Sequence, residues 1–154
     1  MNTEQFHLLL ADDDKDDCEI FREALEEIAL PIRLSTVHNG QQLMDWLNEH
    51  KDTLPDVLFL DMKMPRKNGF DCLEEMKKDK VLQSLPVVIY ATSIYFKPLE
   101  EIYRLGALYY IEKPAVFEQL VVTIRTIVDL CRQKSEFRPD FQDFVIRDEW
   151  REAV

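Results

Sequence analysis

Apolar residues along the chain fall into two kinds of segment. Short runs that are continuously apolar, or that alternate apolar with polar residues, are typical of β-strands, whereas apolar residues spaced three and four apart are typical of amphipathic helices. Five segments have the strand pattern: Phe6–Ala11, Ile32–Val37, Val57–Leu60, Val87–Tyr90 and Leu108–Ile111. A helical pattern follows each of them, in segments that begin near Asp14, Asn39, Phe70, Pro98 and Phe117.

The alternation of strands with helices predicts the fold class. It indicates an α/β protein with a doubly wound five-stranded parallel sheet and helices on both of its faces. The site of such a sheet lies beyond the carboxyl ends of its strands, near the point where the strand order reverses. The polar residues expected there are Asp12, Asp13, Asp61, Thr92 and Lys113. Three carboxylates, one hydroxyl and one ammonium should therefore converge.

The composition narrows the classes of function. The chain has 154 residues, 46% of them hydrophobic, and a formal net charge of −11. This charge disfavours nucleic acid as a partner, because a phosphate backbone requires a basic surface. The 3 cysteines are far apart, so neither a disulfide framework nor a zinc site is indicated. The sequence has neither an export signal nor a run of about 18 apolar residues, which predicts a cytoplasmic protein with no membrane partner.

The densest chemistry lies in the stretch DDDKDD, residues 12–17. An EF-hand calcium loop could use Asp12, Asp14, Asp16 and Glu23, but Asp17 stands where that loop needs glycine, and a strand precedes it instead of a helix. A phosphohydrolase motif of the form Asp-x-Asp-x-Thr lacks its threonine. Asp14, Asp16 and Asp17 are interpreted as residues that cap the first helix and complement its dipole. That interpretation leaves Asp12 and Asp13 without a role.

A second motif supplies a role for these two residues. Asp61 ends a buried strand, and a later proline and glycine shape a loop that curls back over the strand end. Three motifs follow in order: Asp12-Asp13, Asp61-x3-Pro65-x3-Gly69 and Lys113-Pro114. Together they resemble the receiver domain of two-component response regulators, of the stand-alone chemotaxis-regulator type. The likeness covers residues 6–131 and implies the flavodoxin-like (βα)5 receiver fold, with residues 132–154 as an extension that has no output domain.

The resemblance implies a role for each matching residue. Asp61 would accept a phosphoryl group from a sensor histidine kinase or phosphotransfer protein, and Lys113 would pair with a phosphoryl oxygen. Two unit charges 4 Å apart interact by about 4 kcal/mol at an effective dielectric near 20, so the clustered carboxylates need a cation. Mg²⁺ would be that cofactor, and its protein ligands would be Asp13, Asp61, the backbone carbonyl of Lys63, and Asp12 through water.

The resemblance is incomplete at the residues that, in the family, change conformation on phosphorylation. The family places Ser or Thr at the position of Ala91, and here Thr92 follows it. Neighbouring strand residues face opposite ways, so Thr92 does not simply replace the missing hydroxyl. Tyr110 matches the aromatic residue whose rotamer reports phosphorylation. The Lys113–Pro114 peptide bond would be cis, as in the family.

Two classes of function fit these residues. The first is a switch driven by phosphorylation that binds another protein and catalyses only its own phosphorylation and dephosphorylation. The second is a phosphorylation-independent pseudo-receiver, a class favoured by Ala91. The downstream partner is unknown, and the family docks partners around the positions of Tyr103, Tyr109 and Tyr110. The sequence also allows a homodimer.

The end of the chain differs in composition from the rest. Its charged and aromatic residues have a spacing compatible with a short amphipathic helix after Pro139: Phe137, Phe141, Phe144, Val145 and Trp150. So short a helix is marginal in isolation. We expect this segment to pack on its own domain or on a second subunit.

Overall fold

The computed structural model describes residues 5–92, 99–133 and 138–146. Its strands are β1 Phe6–Ala11, β2 Ile32–Val37, β3 Val57–Leu60, β4 Val87–Ala91, β5 Tyr109–Glu112 and β6 Val145–Ile146. Its α-helices are α1 Lys15–Glu26, α2 Gly40–Glu49, α3 Gly69–Lys77, α4 Leu99–Arg104 and α5 Phe117–Arg132. Two short 3₁₀ turns span Leu82–Ser84 and Phe141–Asp143. The predicted alternation of strands and helices is confirmed over this part of the chain, and Pro98, near which the fourth helix is predicted to begin, lies outside it.

Within the described residues, the sheet has six strands in the order β2-β1-β3-β4-β5-β6, and all pairs are parallel. The prediction of five strands was therefore wrong by one. The sixth strand contains two residues, Val145 and Ile146, which pair with Tyr110 and Ile111. A strand of this length is too short to produce a periodic pattern of its own, which is why the sequence predicts a helix in this segment.

The core has two layers because neighbouring residues of each strand face opposite sides of the sheet. Leu9 packs in the cluster beneath α2, α3 and α4, whereas Leu10 packs in the cluster beneath α1 and α5. Both side chains are fully buried. The continuous apolar runs of β1 and β3 follow from this arrangement, since helices cover both faces of the central strands.

Backbone hydrogen bonds align the carboxyl ends of the central strands. The N–H of Asp12 donates to Val37 O at 3.0 Å, and the N–H of Asp61 donates to Ala11 O at 3.0 Å. On the other side of β4, the N–H of Lys113 donates to Ala91 O at 2.8 Å. Since β1 lies between β2 and β3, the strand order reverses beside Asp12 and Asp61. The aspartates therefore meet at the expected point of the sheet.

Side-chain caps begin the first three helices. Asp14 accepts a hydrogen bond from the Asp17 N–H at 3.1 Å, which confirms the predicted cap of α1. Asn39 and Asn68 cap α2 and α3 in the same way. Such caps each contribute about 1 kcal/mol to helix stability.

The C-terminal segment, residues 138–146, packs on the domain at α4 and β5. Phe144 is fully buried, and its ring packs edge-on against those of Tyr103 and Tyr110 at centroid distances of 5.2 and 6.4 Å. The Tyr103 hydroxyl donates to Pro139 O at 2.7 Å, while the Arg138 guanidinium lies 3.8 Å from the centre of the Tyr103 ring. The expected packing on its own domain is confirmed.

The predicted amphipathic helix in this segment is wrong. A three-residue 3₁₀ turn, Phe141–Asp143, leads directly into β6. Strand pairing with β5 satisfies backbone groups that a marginal helix would have satisfied internally. Phe137 and Trp150 lie outside the described residues.

The Lys113–Pro114 peptide bond is trans, contrary to the expectation from the family likeness. The two isomers of such a bond differ by only about 0.5–1 kcal/mol in unstructured chains, so the dipeptide itself does not select one. Across the described ranges, no helix is both long and apolar enough to cross a bilayer.

Candidate functional site

Asp12, Asp13 and Asp61 form an acidic cluster at the carboxyl ends of β1 and β3. One carboxylate oxygen from each lies within 4.8 Å of the others. Asp12 is fully buried, Asp61 is 7% exposed, and Asp13 lies in solvent. The cluster therefore has a buried floor and one open side through which a small ion or a phosphoryl group can enter.

The loop after Asp61 folds back over the end of β3. The Gly69 N–H donates to Met62 O at 2.9 Å, which closes the loop. A Cβ added at Gly69 would lie 2.3 Å from the Asp61 carbonyl oxygen, so glycine is required for this close approach. Within the loop, the Lys67 N–H donates to Pro65 O at 2.7 Å, and Arg66 between them has a φ of 72°. The predicted return of the loop over the site is confirmed.

Lys113 brings the positive charge of the site. Its ammonium donates to Asp12 Oδ2 and to Asp17 Oδ2, each at 2.8 Å, and lies 3.8 Å from Asp61 Oδ2. The Lys113 side chain is 10% exposed. The ammonium also lies 5.2 Å from the centre of the Tyr90 ring, within the range of a cation–π interaction.

Burial controls the ionisation of these groups. Loss of hydration raises the pKa of Asp61 to about 7; the Lys113 charge opposes this shift, and the Asp12 carboxylate adds to it. For Lys113, burial favours the neutral amine, but hydrogen bonds to Asp12 and Asp17 outweigh it, and the pKa of Lys113 is raised. Asp61 is therefore a carboxylate that a further cation would stabilise.

The donor set fits a hard divalent cation. Carboxylate oxygens are the protein ligands that Mg²⁺ prefers, and Mg²⁺ keeps several of its waters when bound. Asp13 offers an exposed oxygen, and Asp12 and Asp61 offer buried ones. No other group of three or more acidic, histidine or cysteine side chains in the described ranges is close enough to share an ion.

The competing calcium-loop interpretation does not fit this geometry. A strand, β1, precedes Asp12, and the third carboxylate of the cluster comes from Asp61 rather than from the same loop. Asp14 is engaged as the cap of α1, and Asp16 is exposed on the first turn of that helix.

Ala91 and Thr92 occupy different environments. Ala91 is the last residue of β4 and is buried in the same apolar cluster as Tyr110 and Phe144. Thr92 follows the strand and is exposed. Tyr110 is fully buried beneath Phe144. The position at which the resemblance implies a hydroxyl therefore holds a methyl group buried in an apolar cluster.

Three contacts of the site could not be read from the sequence. Asp17 was interpreted only as a residue that complements the helix dipole, yet it binds Lys113. His38 Nδ1 lies 3.1 Å from the Asp12 carbonyl oxygen, and Cys18 Sγ lies 3.6 Å from the same atom. Asp17 and Cys18 lie on α1 and His38 follows β2, so these contacts depend on tertiary packing, which no local pattern encodes.

Comparison with known proteins identifies the family of this chain. The model of the response regulator receiver domain matches residues 8–125. The chain belongs to this family.

Three relatives indicate the kind of receiver. The chain is 28% identical over 125 residues to the probable methanogenesis regulatory protein FilR2 of Methanothrix harundinacea, a match that covers 79% of this chain and 81% of FilR2. The phosphorylated cyanobacterial phytochrome response regulator RcpA superposes with a TM-score of 0.73 at 30% identity, over 89% of this chain and 100% of RcpA. The Mn²⁺-bound form of response regulator Rcp1 superposes with a TM-score of 0.71 at 25% identity, over 87% of this chain and 99% of Rcp1. The likeness is to stand-alone phytochrome response regulators, and the chemotaxis-regulator type stays a prediction.

Proposed function

We propose that this protein is a single-domain response regulator that accepts a phosphoryl group on Asp61 from a histidine kinase or phosphotransfer protein. One observation carries the proposal: Asp12, Asp13, Asp61 and Lys113, from the ends of three different strands, meet in one half-open site. The proposal is supported by the match to RcpA, whose whole length this chain covers.

The chemistry assigned to Asp61 is nucleophilic. A carboxylate oxygen of Asp61 attacks phosphorus, and an O–P bond forms as the P–N bond to the donor histidine breaks. The electron pair of that bond passes to the imidazole nitrogen, which takes up a proton. The product is an aspartyl phosphate, a covalent intermediate of a kind that carboxylates form in phosphoryl transfer. The protein acts as an enzyme only on itself.

The other residues have electrostatic roles. Asp13, Asp61, the Lys63 carbonyl and Asp12 through water would hold Mg²⁺, which when bound spreads the charge of the transferring group. The Mn²⁺-bound form of Rcp1 is consistent with a divalent cation in such a site. Lys113 supplies a compact charge on a flexible stem and, from 3.8 Å, can reach a phosphoryl oxygen attached to Asp61.

The downstream signal is proposed to pass to another protein through the face that the C-terminal segment covers. Tyr109 is 9% exposed and Tyr110 is fully buried, so neither offers a large contact surface by itself. Tyr103 is partly covered by Arg138 and Pro139. Phe141, 39% exposed, lies in that segment. A partner that docks at α4 and β5 therefore meets residues 138–146 rather than the three predicted tyrosines.

A second function is favoured by Ala91. The buried methyl group cannot donate a hydrogen bond to a phosphoryl oxygen, and such a bond to a charged acceptor is worth about 1.5–3 kcal/mol. A receiver that lacks it could bind its partner without responding to phosphorylation. The sequence keeps both Asp61 and Lys113, and their side chains lie 3.8 Å apart, which argues for the phosphorylation-driven function.

The test is exposure of the protein to Mg²⁺ and a small phosphodonor such as acetyl phosphate. The proposal predicts an acid-stable, base-labile mass gain of one phosphoryl group, which disappears with a chelator or in Asp61→Asn. A folded wild-type protein that gains no mass would favour the pseudo-receiver.

A further inference from the structure

The ammonium of Lys113 is held by two carboxylates that differ in their relation to the acidic cluster. Asp12 belongs to the cluster and is fully buried. Asp17 lies outside it, on the first turn of α1, with a side chain 30% exposed. Both lie 2.8 Å from the ammonium, whereas Asp61 lies 3.8 Å away.

The position of Asp17 is fixed independently of Lys113. Its backbone N–H donates to the capping Asp14 carboxylate at 3.1 Å, so the carboxylate is presented from a rigid helix turn. The backbone of Lys113 is fixed in turn by its hydrogen bond to Ala91 O. The long lysine side chain between these two anchors can change partners without movement of either backbone.

We infer that Asp17 is a positioning residue that holds the Lys113 ammonium away from Asp61 until a phosphoryl group is present. The inference rests on the proposed function, because it assigns Lys113 the phosphoryl group as an alternative partner. To reach that group, the ammonium must give up or lengthen its contact with Asp17. Asp17 therefore competes with the phosphoryl group and sets how tightly the active state is held.

The test is a titration with beryllofluoride, a phosphoryl analogue, at saturating Mg²⁺, followed by amide NMR shifts. Asp17→Asn preserves the side-chain shape and removes the competing charge. The matched control is Asp16→Asn, which makes the same change of net charge on the same helix turn at an exposed residue. Asp17→Asn should bind beryllofluoride more tightly than Asp16→Asn by roughly two- to fivefold, the range for a partly exposed ion pair.

A double-mutant cycle separates positioning from a general effect on the fold. In a Lys113→Gln background the gain from Asp17→Asn should vanish, because the residue acts only through the lysine. A purely structural role of Asp17 would lower the affinity of Asp17→Asn and would not depend on Lys113.

Two results would overturn the inference in distinguishable ways. If wild type binds beryllofluoride but Asp17→Asn binds it no more tightly than Asp16→Asn, the proposed function stands and the role of Asp17 is wrong. If folded wild-type protein does not bind beryllofluoride with Mg²⁺ at all, the proposed function fails and the inference fails with it.

Discussion

Lys113 Nζ lies 2.8 Å from Asp12 Oδ2, and the side chain of that aspartate is fully buried. Taking one charge of such a pair away leaves the other buried and unpaired, which costs about 3–5 kcal/mol in buried pairs. Lys113→Ala should therefore lower the free energy of unfolding in metal-free buffer by about 3 kcal/mol. Mg²⁺ should restore part of the loss, because it compensates the same carboxylates. Thermal unfolding with and without Mg²⁺ measures both effects.

The control for this variant is Lys51→Ala, since Lys51 pairs at 2.7 Å with Asp79 on the surface. Exposed ion pairs contribute little to stability, so the free energy of unfolding should fall only slightly in Lys51→Ala, and by the same amount with and without Mg²⁺. If Lys51→Ala and Lys113→Ala lost the same free energy of unfolding, the conclusion that Lys113 compensates a buried carboxylate would be contradicted.

Asp61→Asn should stabilise the protein in the absence of metal. Burial and the Asp12 carboxylate raise the pKa of Asp61, so the charged form is disfavoured in the folded state at neutral pH. Removal of that charge should raise the free energy of unfolding on the order of 2 kcal/mol. Urea unfolding at neutral pH in a chelator measures the change, and Asp13→Asn, at an exposed carboxylate, is the control. A loss of stability in Asp61→Asn would contradict the electrostatic account.

Phe144→Ala should destabilise the attachment of the C-terminal segment. Phe144 is fully buried between Tyr103 and Tyr110, and truncation of a buried phenylalanine costs about 3–5 kcal/mol. We expect a lower thermal midpoint and faster amide exchange at Tyr110, whose N–H donates to Phe144 O at 3.0 Å.

Phe141→Ala provides the comparison within the same segment. Phe141 is 39% exposed, so its truncation should lower the free energy of unfolding far less than Phe144→Ala does. Truncation after Lys134 should lower the thermal midpoint as Phe144→Ala does. If the thermal midpoint were unchanged both in Phe144→Ala and in the truncated protein, the segment would add nothing to the stability of the domain.

Arg66→Gly should stabilise the loop beside Asp61. Arg66 has a φ of 72°, in the left-handed region that costs a residue with a Cβ about 1–2 kcal/mol. Glycine removes this strain but loses more entropy on folding, so a net gain of about 1 kcal/mol is expected. Chemical denaturation measures it, and Arg66→Ala, which keeps the Cβ and removes the charge, should show no gain. A gain of the same size in Arg66→Ala would assign the effect to charge.

Thr92→Ala should leave the affinity for beryllofluoride unchanged. Thr92 is exposed beyond the end of β4, whereas Ala91 is buried on the face that includes Tyr110. A hydrogen bond from Thr92 to the analogue would make the variant about tenfold weaker or worse. Ala91→Thr, which places a hydroxyl at the family position, should bind more tightly than wild type. A large loss in Thr92→Ala would show that the hydroxyl has moved by one residue.

The fold could be predicted from the sequence wherever an element is long enough to have a period. The apolar runs of β1 and β3 and the spacing of Cys18, Phe21 and Leu25 in α1 each indicate the observed element. Strand β6 has two residues, and pairing with β5 rather than any local preference makes it a strand. Tertiary contact decides such short segments.

The site was predictable because its residues follow strand ends in a parallel sheet. Asp12, Asp13, Asp61 and Lys113 could be expected together because each of them follows the carboxyl end of a predicted strand. The contact between Asp17 and Lys113 could not, since it depends on the angle at which α1 packs beside the end of β5. The trans state of the Lys113–Pro114 bond could not be predicted either, because the dipeptide itself does not select an isomer.

The most direct test of the central claim is to locate the phosphoryl group. After reaction with acetyl phosphate and Mg²⁺, borohydride reduces an aspartyl phosphate to homoserine, which peptide mass spectrometry assigns to a position. The account predicts homoserine at position 61, and none when Mg²⁺ is withheld. Homoserine at position 12 or 13, or equal modification of Asp61→Asn, would contradict the assignment of Asp61 as the phosphoryl acceptor.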